Sequence, residues 1–337
     1  MIEILDCTLR DGGYINNWRF SNNFIDNFNK LNDRFIDYVE IGFINKTDKY
    51  LNQIIGPSRI LDKNQIKRFD TYNFKKVVMA DYLDINLSLL QENINIDLVR
   101  IAFHKIHLKE AIDMCCKIKK LGYKVSVNAM AVTNYSDKEL DYLFEKINKH
   151  KLDILYIADS YGSLHQNDIK KYVHLCDINL YNSCKIGFHL HNNMNNAYSN
   201  YEYLTNITQK INRTFIVDST MFGMGRGAGN LQTELVLINK YKTINFKKIL
   251  QIVQFIQDYI KPFYNKNENY WGYDLDYLLS GYLKMHPNYI VKMRQLNISM
   301  KNRFFLIEKL VEKKVEYTYF NINAINLLIK DYKDALL

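Results

Sequence analysis

Eight short apolar runs recur along the chain, separated by stretches in which apolar residues fall at helical spacing. The runs start roughly 20 to 40 residues apart, as in a parallel sheet built from strand–helix–strand units. A doubly wound open sheet uses the same alternation, but a count of eight favours a closed (β/α)8 or TIM barrel. The predicted strands are 2–5, 38–43, 77–80, 98–102, 125–129, 154–157, 186–190 and 215–217.

Beyond the eighth run the pattern changes to helices without strands. Apolar residues of 246–260 fall on one helical stripe, and 304–315 continues with helical spacing. We therefore predict a TIM-barrel catalytic domain over 1–240 and a helical C-terminal extension over 241–337.

The composition is that of a soluble globular protein. Hydrophobic residues make up 47% and charged residues 24%, with three prolines, which excludes disordered and collagen-like classes. No apolar run approaches the ~18 residues that span a bilayer, and the first residues lack the pattern of a secretion signal. We expect a cytoplasmic protein with no membrane partner. The five cysteines have no paired Cys-x-x-Cys spacing and are expected to be reduced thiols.

The net charge of +9 favours anionic partners without identifying them. The basic residues are spread along the chain and form no block, so we expect no nucleic-acid partner. A non-catalytic, basic nucleic-acid-binding protein that stacks bases on some of its 26 tyrosines is the alternative from another functional class.

Polar residues follow or end most of the predicted strands, which is where TIM barrels carry their catalytic groups. They are the segment 6–14 after the first strand, Glu40 in the second, His104 after the fourth, Asn128 in the fifth, Asp159 after the sixth, His189 and His191 at the seventh, and Asp218 after the eighth.

His189 and His191 give the sharpest of these signals. Side chains on a strand alternate with period two, so both imidazoles project to one side and can reach one cation. Asp11 can add a carboxylate, because the odd-numbered strands contribute to common layers of a barrel. This ligand set suits Mn²⁺, Mg²⁺, Co²⁺ or Fe²⁺ and leaves positions open for a substrate. Strand-capping histidines and a turn-forming aspartate before Gly12 are the structural alternatives.

Arg10 and a glycine-rich run stand beside these candidates. The guanidinium of Arg10 could stabilise an enolate oxygen, or pair with Glu40 or Asp159. The run 223–230 imitates a dinucleotide fingerprint, but no strand follows it, so we interpret it as a loop that lines an anionic site. Asn230 could face the metal or cap the next helix, and its residue type favours the cap.

Six motifs together resemble the DRE-TIM metallolyases, the superfamily of 4-hydroxy-2-oxovalerate aldolases, isopropylmalate and homocitrate synthases, and hydroxymethylglutaryl-CoA lyase. The motifs are LDCTLRDGGY (5–14), VEIGF (39–43), VRIAFH (99–104), IADSYG (157–162), HLHNN (189–193) and GMGRGAGN (223–230). The fourth-strand motif and the glycine-rich loop are most similar to the aldolase branch. The segment 271–289 resembles the tyrosine-bearing helical segment that follows the barrel in those aldolases.

The resemblance implies a pyruvate aldolase that cleaves or forms a 4-hydroxy-2-oxo acid, with pyruvate and an aldehyde as its small-molecule partners. It implies that Asp11, His189 and His191 bind a divalent ion, with Mn²⁺ our first expectation, and that Arg10 stabilises a pyruvate enolate. The aldolases carry an acid–base histidine three residues after the metal aspartate, where this chain has Tyr14.

The identity of the general base is therefore open. Its candidates are Tyr14, His104, Tyr273 and a metal-bound water. The residues predicted to bind substrate are Arg10, Glu40, Asn128, Asp159, Gly225 and Asn230.

Two further expectations and one enzymatic alternative complete the interpretation. We expect a homo-oligomer, and the aldolase branch suggests a partner enzyme that processes the aldehyde. An acyl-CoA/2-oxo acid condensing synthase would use the same metal and arginine, but the 223–230 loop does not favour it.

Overall fold

A closed barrel of eight parallel strands forms the centre of the protein. The computed structural model describes residues 1–46, 54–241, 244–264 and 270–332. Neighbouring strands pair in chain order, and the last pairs with the first from Ile2 opposite Phe215 to Asp6 opposite Ser219. The predicted TIM barrel with C-terminal helices is confirmed. The strands are β1 (Ile2–Asp6), β2 (Tyr38–Phe43), β3 (Lys75–Asp81), β4 (Leu98–Phe103), β5 (Lys124–Ala129), β6 (Ile154–Asp159), β7 (Lys185–Leu190) and β8 (Phe215–Ser219).

Helices surround the barrel and continue after it. Those up to the eighth strand's own helix are α1 (Gly13–Asn16), α2 (Asn22–Asn32), α3 (Lys63–Lys67), α4 (Leu87–Gln91), α5 (Leu108–Lys120), α6 (Asp137–His150), α7 (Gln166–Asn179), α8 (Ala197–Ile207) and α9 (Thr233–Lys240). Then follow α10 (Phe246–Phe255), a π-helical turn (Ile256–Ile260), α11 (Lys261–Tyr264), α12 (Leu275–Tyr282), α13 (Asn288–Gln295), α14 (Met300–Glu312) and α15 (Ile322–Asp331).

Side chains inside the barrel form an apolar lower layer and a polar upper layer. The lower layer includes Leu5, Tyr38, Val77, Leu98, Ile154, Tyr156 and Ile216. The upper layer lies two residues nearer the carboxyl ends of the strands, and it contains the buried side chains of Glu40, Arg100 and Asp218. A Cβ at position 187 of β7 would lie 2.4 Å from the Tyr156 ring, which is why glycine stands there.

The helices after the barrel belong to two hydrophobic clusters. The α10 helix shares the main cluster, where Phe255 packs on Phe24 of α2 with ring centroids 5.3 Å apart. The α12–α15 helices surround a second cluster centred on Tyr289. The domain boundary at 240/241 remains a prediction. Within the described residues, no helix has both the length and the apolar character to cross a membrane.

The second cluster lies over the carboxyl ends of the strands. Tyr161, just after β6, donates its hydroxyl to the carbonyl oxygen of Thr318 at 3.2 Å. The ring of His104, just after β4, meets the ring of Tyr319 edge-on with 4.9 Å between centroids. The helices α12–α15 and the loops between them therefore cover the end of the barrel that carries the candidate site. We call this part of the chain, residues 275–331, the roof.

Candidate active site

Asp11, His189 and His191 converge at the mouth of the barrel. One carboxylate oxygen and one nitrogen of each imidazole lie within 4.8 Å of one another. The three residues line a cavity of about 100 Å³, together with Arg10 and with Pro287 from the roof. The structure brings the three predicted ligands together, and metal binding by them remains a proposal.

Each imidazole is oriented by a hydrogen bond at Nδ1. The Nδ1 of His189 lies 2.8 Å from Oδ2 of Asp218, and the Nδ1 of His191 lies 2.7 Å from the backbone oxygen of Asp159. Such contacts fix the ring and leave Nε2 available as a metal ligand. Burial and the neighbouring His189 lower the pKa of His191 to about 4, so the imidazole of His191 is neutral at neutral pH.

The carboxylate of Asp11 is held from both sides. Its Oδ1 accepts from Nη1 of Arg10 at 2.5 Å, and its Oδ2 accepts from Nδ2 of Asn230 at 2.6 Å. Burial alone would raise the pKa of Asp11, but the charge of Arg10 and the nearby histidines outweigh burial and hold that pKa well below its usual range. The carboxylate of Asp11 is therefore ionised at neutral pH.

Asn230 brings an unsatisfied oxygen to the same place. Its Nδ2 also donates to the carbonyl oxygen of Met224 at 3.2 Å, while its buried Oδ1 has no hydrogen-bond partner in the described part of the chain. The expected helix cap is wrong, because α9 begins at Thr233 and the Asn230 side chain turns toward Asp11 instead. Two imidazoles, a carboxylate and a free amide oxygen fit a divalent ion of the Mn²⁺ or Mg²⁺ type.

Gly225 permits this close approach of loop and ligand. A Cβ at position 225 would lie 2.3 Å from Nδ2 of Asn230 and 3.1 Å from Oδ2 of Asp11. The glycine-rich loop thus presses its backbone against the side chains at the proposed metal site.

Arg10 is fixed by a buried chain of charges. Its Nε donates to Glu40 at 2.6 Å, Glu40 lies 3.2 Å from Nη1 of Arg100, and Nη2 of Arg100 lies 2.5 Å from Asp218. Asp218 then reaches His189, so the chain runs from the arginine to a proposed metal ligand. Arg100 was not among the residues predicted from the sequence. The period of two could have indicated it, because Arg100 lies two residues from both Leu98 and Ala102 and shares the inward face of β4 with them.

Four residues predicted to contact substrate lie outside the cavity lining: Glu40, Asp159, Gly225 and Asn230. Glu40 is completely buried beneath Arg10 and Arg100, and its carboxylate pairs with both guanidinium groups. The carboxylate of Asp159 accepts from the backbone amides of Ser163 and Leu164, at 2.9 and 3.2 Å, and so braces the loop after β6. Asn128 does line the cavity, and its amide oxygen, turned toward Arg100, accepts from Nη2 at 2.9 Å.

The candidate bases occupy three different places. His104 lines the cavity, and its buried Nδ1 has no hydrogen-bond partner among the described residues. Burial lowers the pKa of His104. Tyr14 lines an adjoining cleft, with the guanidinium carbon of Arg226 3.9 Å from its ring centroid. Tyr273 is 52% exposed and lines neither space, because the residue of this segment that turns inward is Tyr277.

The loop after β1 depends on Trp18. The Nε1 of Trp18 donates to the carbonyl oxygen of Arg10 at 2.7 Å. A Cβ at Gly13 would lie 2.1 Å from the Trp18 indole, so glycine lets the indole lie against the loop. Trp18 itself has φ of +56°, a rare conformation for a large side chain, which its contacts must maintain.

Comparison with known proteins gives concordant matches. The HMGL-like family model matches residues 1–256. The 4-hydroxy-2-oxovalerate aldolase of Bacillus cereus is 23% identical over 246 residues, covering 70% of this chain and 68% of that protein. The oxaloacetate decarboxylase of Mycobacterium tuberculosis is 24% identical over 244 residues, covering 69% and 68% respectively.

Solved structures share the architecture. The N-terminal domain of a proposed aldolase from Bacteroides vulgatus superposes with a TM-score of 0.76 and 27% identity, covering 89% of this chain and 98% of that one. The carboxyl transferase domain of Rhizobium etli pyruvate carboxylase, solved with pyruvate, has a TM-score of 0.73 at 12% identity, covering 99% and 60%. The latter likeness shows the fold alone.

Proposed function

Because this chain belongs to the HMGL-like family and is a lyase, we propose that it is a divalent-metal-dependent pyruvate aldolase. Its reaction cleaves or forms a 4-hydroxy-2-oxo acid, with pyruvate and an aldehyde on the other side. The observation that carries the proposal is the convergence of Asp11, His189 and His191 beside Arg10. Mn²⁺ is the first choice of ion, and Mg²⁺, Co²⁺ and Fe²⁺ suit the same donors.

The chain's own groups have separate tasks in this reaction. A divalent ion held by the three ligands would supply a Lewis acid for the oxygens of the 2-oxo acid. Arg10, held in place by Glu40 and Asp11, donates to the developing enolate oxygen, which is worth about 2.7–4 kcal/mol per donor in oxyanion sites. Asn128 lines the inner cavity, and Gly225 leaves room for Asn230 beside Asp11.

Cleavage requires a base for the 4-hydroxyl proton. As that proton leaves, the C3–C4 bond breaks, its electron pair passes into the enolate, and the enolate is protonated at C3 to give pyruvate. His104 is the base we place first, since its unpartnered Nδ1 is buried at the cavity and burial favours the neutral ring. Tyr14 is the second candidate, and the exposed Tyr273 has no part in the proposal.

The test is pyruvate release from 4-hydroxy-2-oxo acids before and after metal removal. We expect chelation to abolish release and added Mn²⁺ to restore it, and we expect His191→Asn to lose most of its activity. An Asp26→Asn variant, altered at an exposed carboxylate, is the matched control. Full activity after thorough metal removal would contradict the proposal.

Oxaloacetate decarboxylation is a second candidate function. It passes through the same pyruvate enolate, and a relative with similar coverage carries that name. Oxaloacetate therefore belongs in the assay, and faster decarboxylation than aldol cleavage would favour this candidate.

Several expectations remain predictions. They are the homo-oligomer, the partner enzyme that processes the aldehyde, and the cytoplasmic location. The condensing-synthase alternative predicts thiol release from acetyl-CoA with 2-oxo acids, and the nucleic-acid alternative predicts salt-dependent retention of nucleic acid by metal-free protein.

A further inference from the structure

A second and much larger cleft adjoins the cavity that holds the proposed metal ligands. The inner cavity measures about 100 Å³ and the outer cleft about 1060 Å³. Arg226, from the glycine-rich loop, lines both spaces and so marks their junction. The inner space suits a small unit, and the outer cleft has room for a much larger polar one.

The guanidinium of Arg226 is available to a ligand. Its carbon lies 3.9 Å from the ring centroid of Tyr14, and the residue is half-buried. Across the described ranges, this guanidinium forms neither a hydrogen bond nor an ion pair with any side chain or backbone oxygen. A guanidinium keeps its charge at every accessible pH, and its planar donors match the oxygens of a phosphate or carboxylate.

Positively charged side chains line the outer cleft. Arg19 and the half-buried Lys292 line it with Arg226, whereas its described lining contains no aspartate or glutamate. Tyr270, also in the lining, donates to Asp274, but Asp274 is paired with Arg294 at 2.9 Å. That carboxylate therefore does not neutralise the cleft.

We infer that the aldehyde partner carries an anionic group, a phosphate or a carboxylate, and that Arg226 and Lys292 bind this group in the outer cleft. The inference rests on the proposed function, because it assigns the inner cavity to pyruvate and the outer cleft to the rest of the 4-hydroxy-2-oxo acid. With the anionic group held in the outer cleft by Arg226 and Lys292, the aldehyde carbon can point through the junction toward C3 of pyruvate. The covalent change is the aldol bond alone.

The first arm of the experiment needs only the inner cavity. NMR measures the exchange of the pyruvate C3 protons with D₂O, with and without Mn²⁺. This exchange reports enolate formation before any aldehyde is added. The second arm measures aldol addition with matched aldehydes. Glyceraldehyde 3-phosphate is compared with glyceraldehyde, and succinic semialdehyde with propionaldehyde.

The inference predicts a clear charge preference. We expect kcat/KM for at least one anionic aldehyde to exceed that of its neutral counterpart by about tenfold or more, as one or two charge-assisted contacts provide. This ratio should fall about tenfold in Arg226→Gln and in Lys292→Gln, and inorganic phosphate should inhibit the wild type more strongly than either variant. Arg34→Gln, at an 81% exposed side chain, is the control and should keep the wild-type ratio.

The outcomes separate the two proposals. Exchange together with a preference lost in the variants supports the inference, and the aldehyde pair that shows the preference identifies phosphate or carboxylate. Exchange without a charge preference, or with a preference that survives in both variants, overturns the inference and leaves the aldolase proposal standing. Absence of Mn²⁺-dependent exchange overturns the aldolase proposal, and the inference with it.

Discussion

The contact between Gly225 and the Asp11–Asn230 pair shows how one missing methyl group shapes the proposed metal site. Gly225→Ala would place a Cβ 2.3 Å from Nδ2 of Asn230 and force that amide away from Asp11. We expect Mn²⁺ affinity, measured by calorimetry, to fall by about tenfold or more, as losses of supporting contacts at metal sites do.

Gly122→Ala is the matched control for this substitution. Gly122 has φ of +95° and open space around its Cβ position, so alanine there strains the backbone far from the metal ligands. We expect this variant to lose stability but to keep its Mn²⁺ affinity. Equal affinity in the Gly225→Ala variant would show that Asn230 does not support the site.

The buried carboxyl of Asp6 makes stability depend on pH. Burial raises the pKa of Asp6 from 3.8 to about 6, although the amide of Thr8 and the hydroxyl of Thr233 donate to it. Between these values the native protein holds a proton that the unfolded chain has released, so this carboxyl stabilises the fold less as pH rises.

Asp6→Asn removes this dependence. Between pH 4 and 7 the variant should gain about 3 kcal/mol relative to the wild type, at 1.36 kcal/mol per pKa unit. Urea unfolding of the metal-free proteins measures this difference, with Asp26→Asn as an exposed control. Parallel profiles for wild type and Asp6→Asn would contradict the raised pKa.

Residue patterns located the proposed metal ligands but not the contacts around them. Period two brings His189 and His191 to one side, and barrel symmetry adds Asp11. The same reasoning cannot tell a side chain that faces the cavity from one covered by a neighbour. Glu40 lies under Arg10, and Asp159 contributes its backbone oxygen to His191 while its carboxylate turns to the loop.

At the level of elements, the loop between β1 and α2 acts as one unit that positions Arg10 and Asp11. Trp18→Phe would keep an aromatic ring but leave the buried carbonyl oxygen of Arg10 without its donor. Such a loss costs about 1–3 kcal/mol of stability. We also expect slower Mn²⁺-dependent proton exchange of pyruvate, because the loop would hold the guanidinium less firmly.

Tyr123→Phe provides the comparison for this variant. It removes a buried hydrogen bond of the same kind, from Tyr123 Oη to the carbonyl oxygen of Leu90 at 2.9 Å, away from the cavity. The two variants should lose similar stability, measured by thermal unfolding, and only Trp18→Phe should slow exchange. Equal rates of pyruvate proton exchange in the two variants would show that Trp18 does not position Arg10.

The strands were predictable because both faces of a barrel strand are buried and appear as short apolar runs. Some runs ended too early, where polar residues of a strand are nevertheless buried. The eighth run was predicted as 215–217, whereas β8 extends to Ser219, because Asp218 and Ser219 are polar yet buried. Tyr273 was predicted as a candidate base, but it precedes α12, which begins at Leu275. The helical spacing of α12 therefore does not indicate which way the Tyr273 side chain points.

At the scale of the whole molecule, the roof is held together by a buried ion cluster separate from the barrel. Asp276 is completely buried and pairs with Arg294 and Arg303, at 2.8 Å each. Asp276→Asn would leave two arginines without their shared carboxylate. Breaking a buried pair from one side costs about 3–5 kcal/mol.

The loss should be confined to the roof. Hydrogen exchange should show α12–α14 losing protection, while β1–β8 keep theirs. Lys309→Gln, which removes an exposed pair with Glu312, should leave both regions unchanged. Equal loss of protection in roof and barrel would show that the two hydrophobic clusters unfold as one.

The chain of charges from Arg10 to His189 also bears on the order in which the proposed ion and substrate would bind. Asp11, Glu40 and Asp218 contribute three formal negative charges, against two positive charges from Arg10 and Arg100. This buried chain therefore carries a net charge of −1, which favours a cation over an anion beside it. A divalent ion would reverse that sign, and a singly charged 2-oxo acid would then restore electroneutrality.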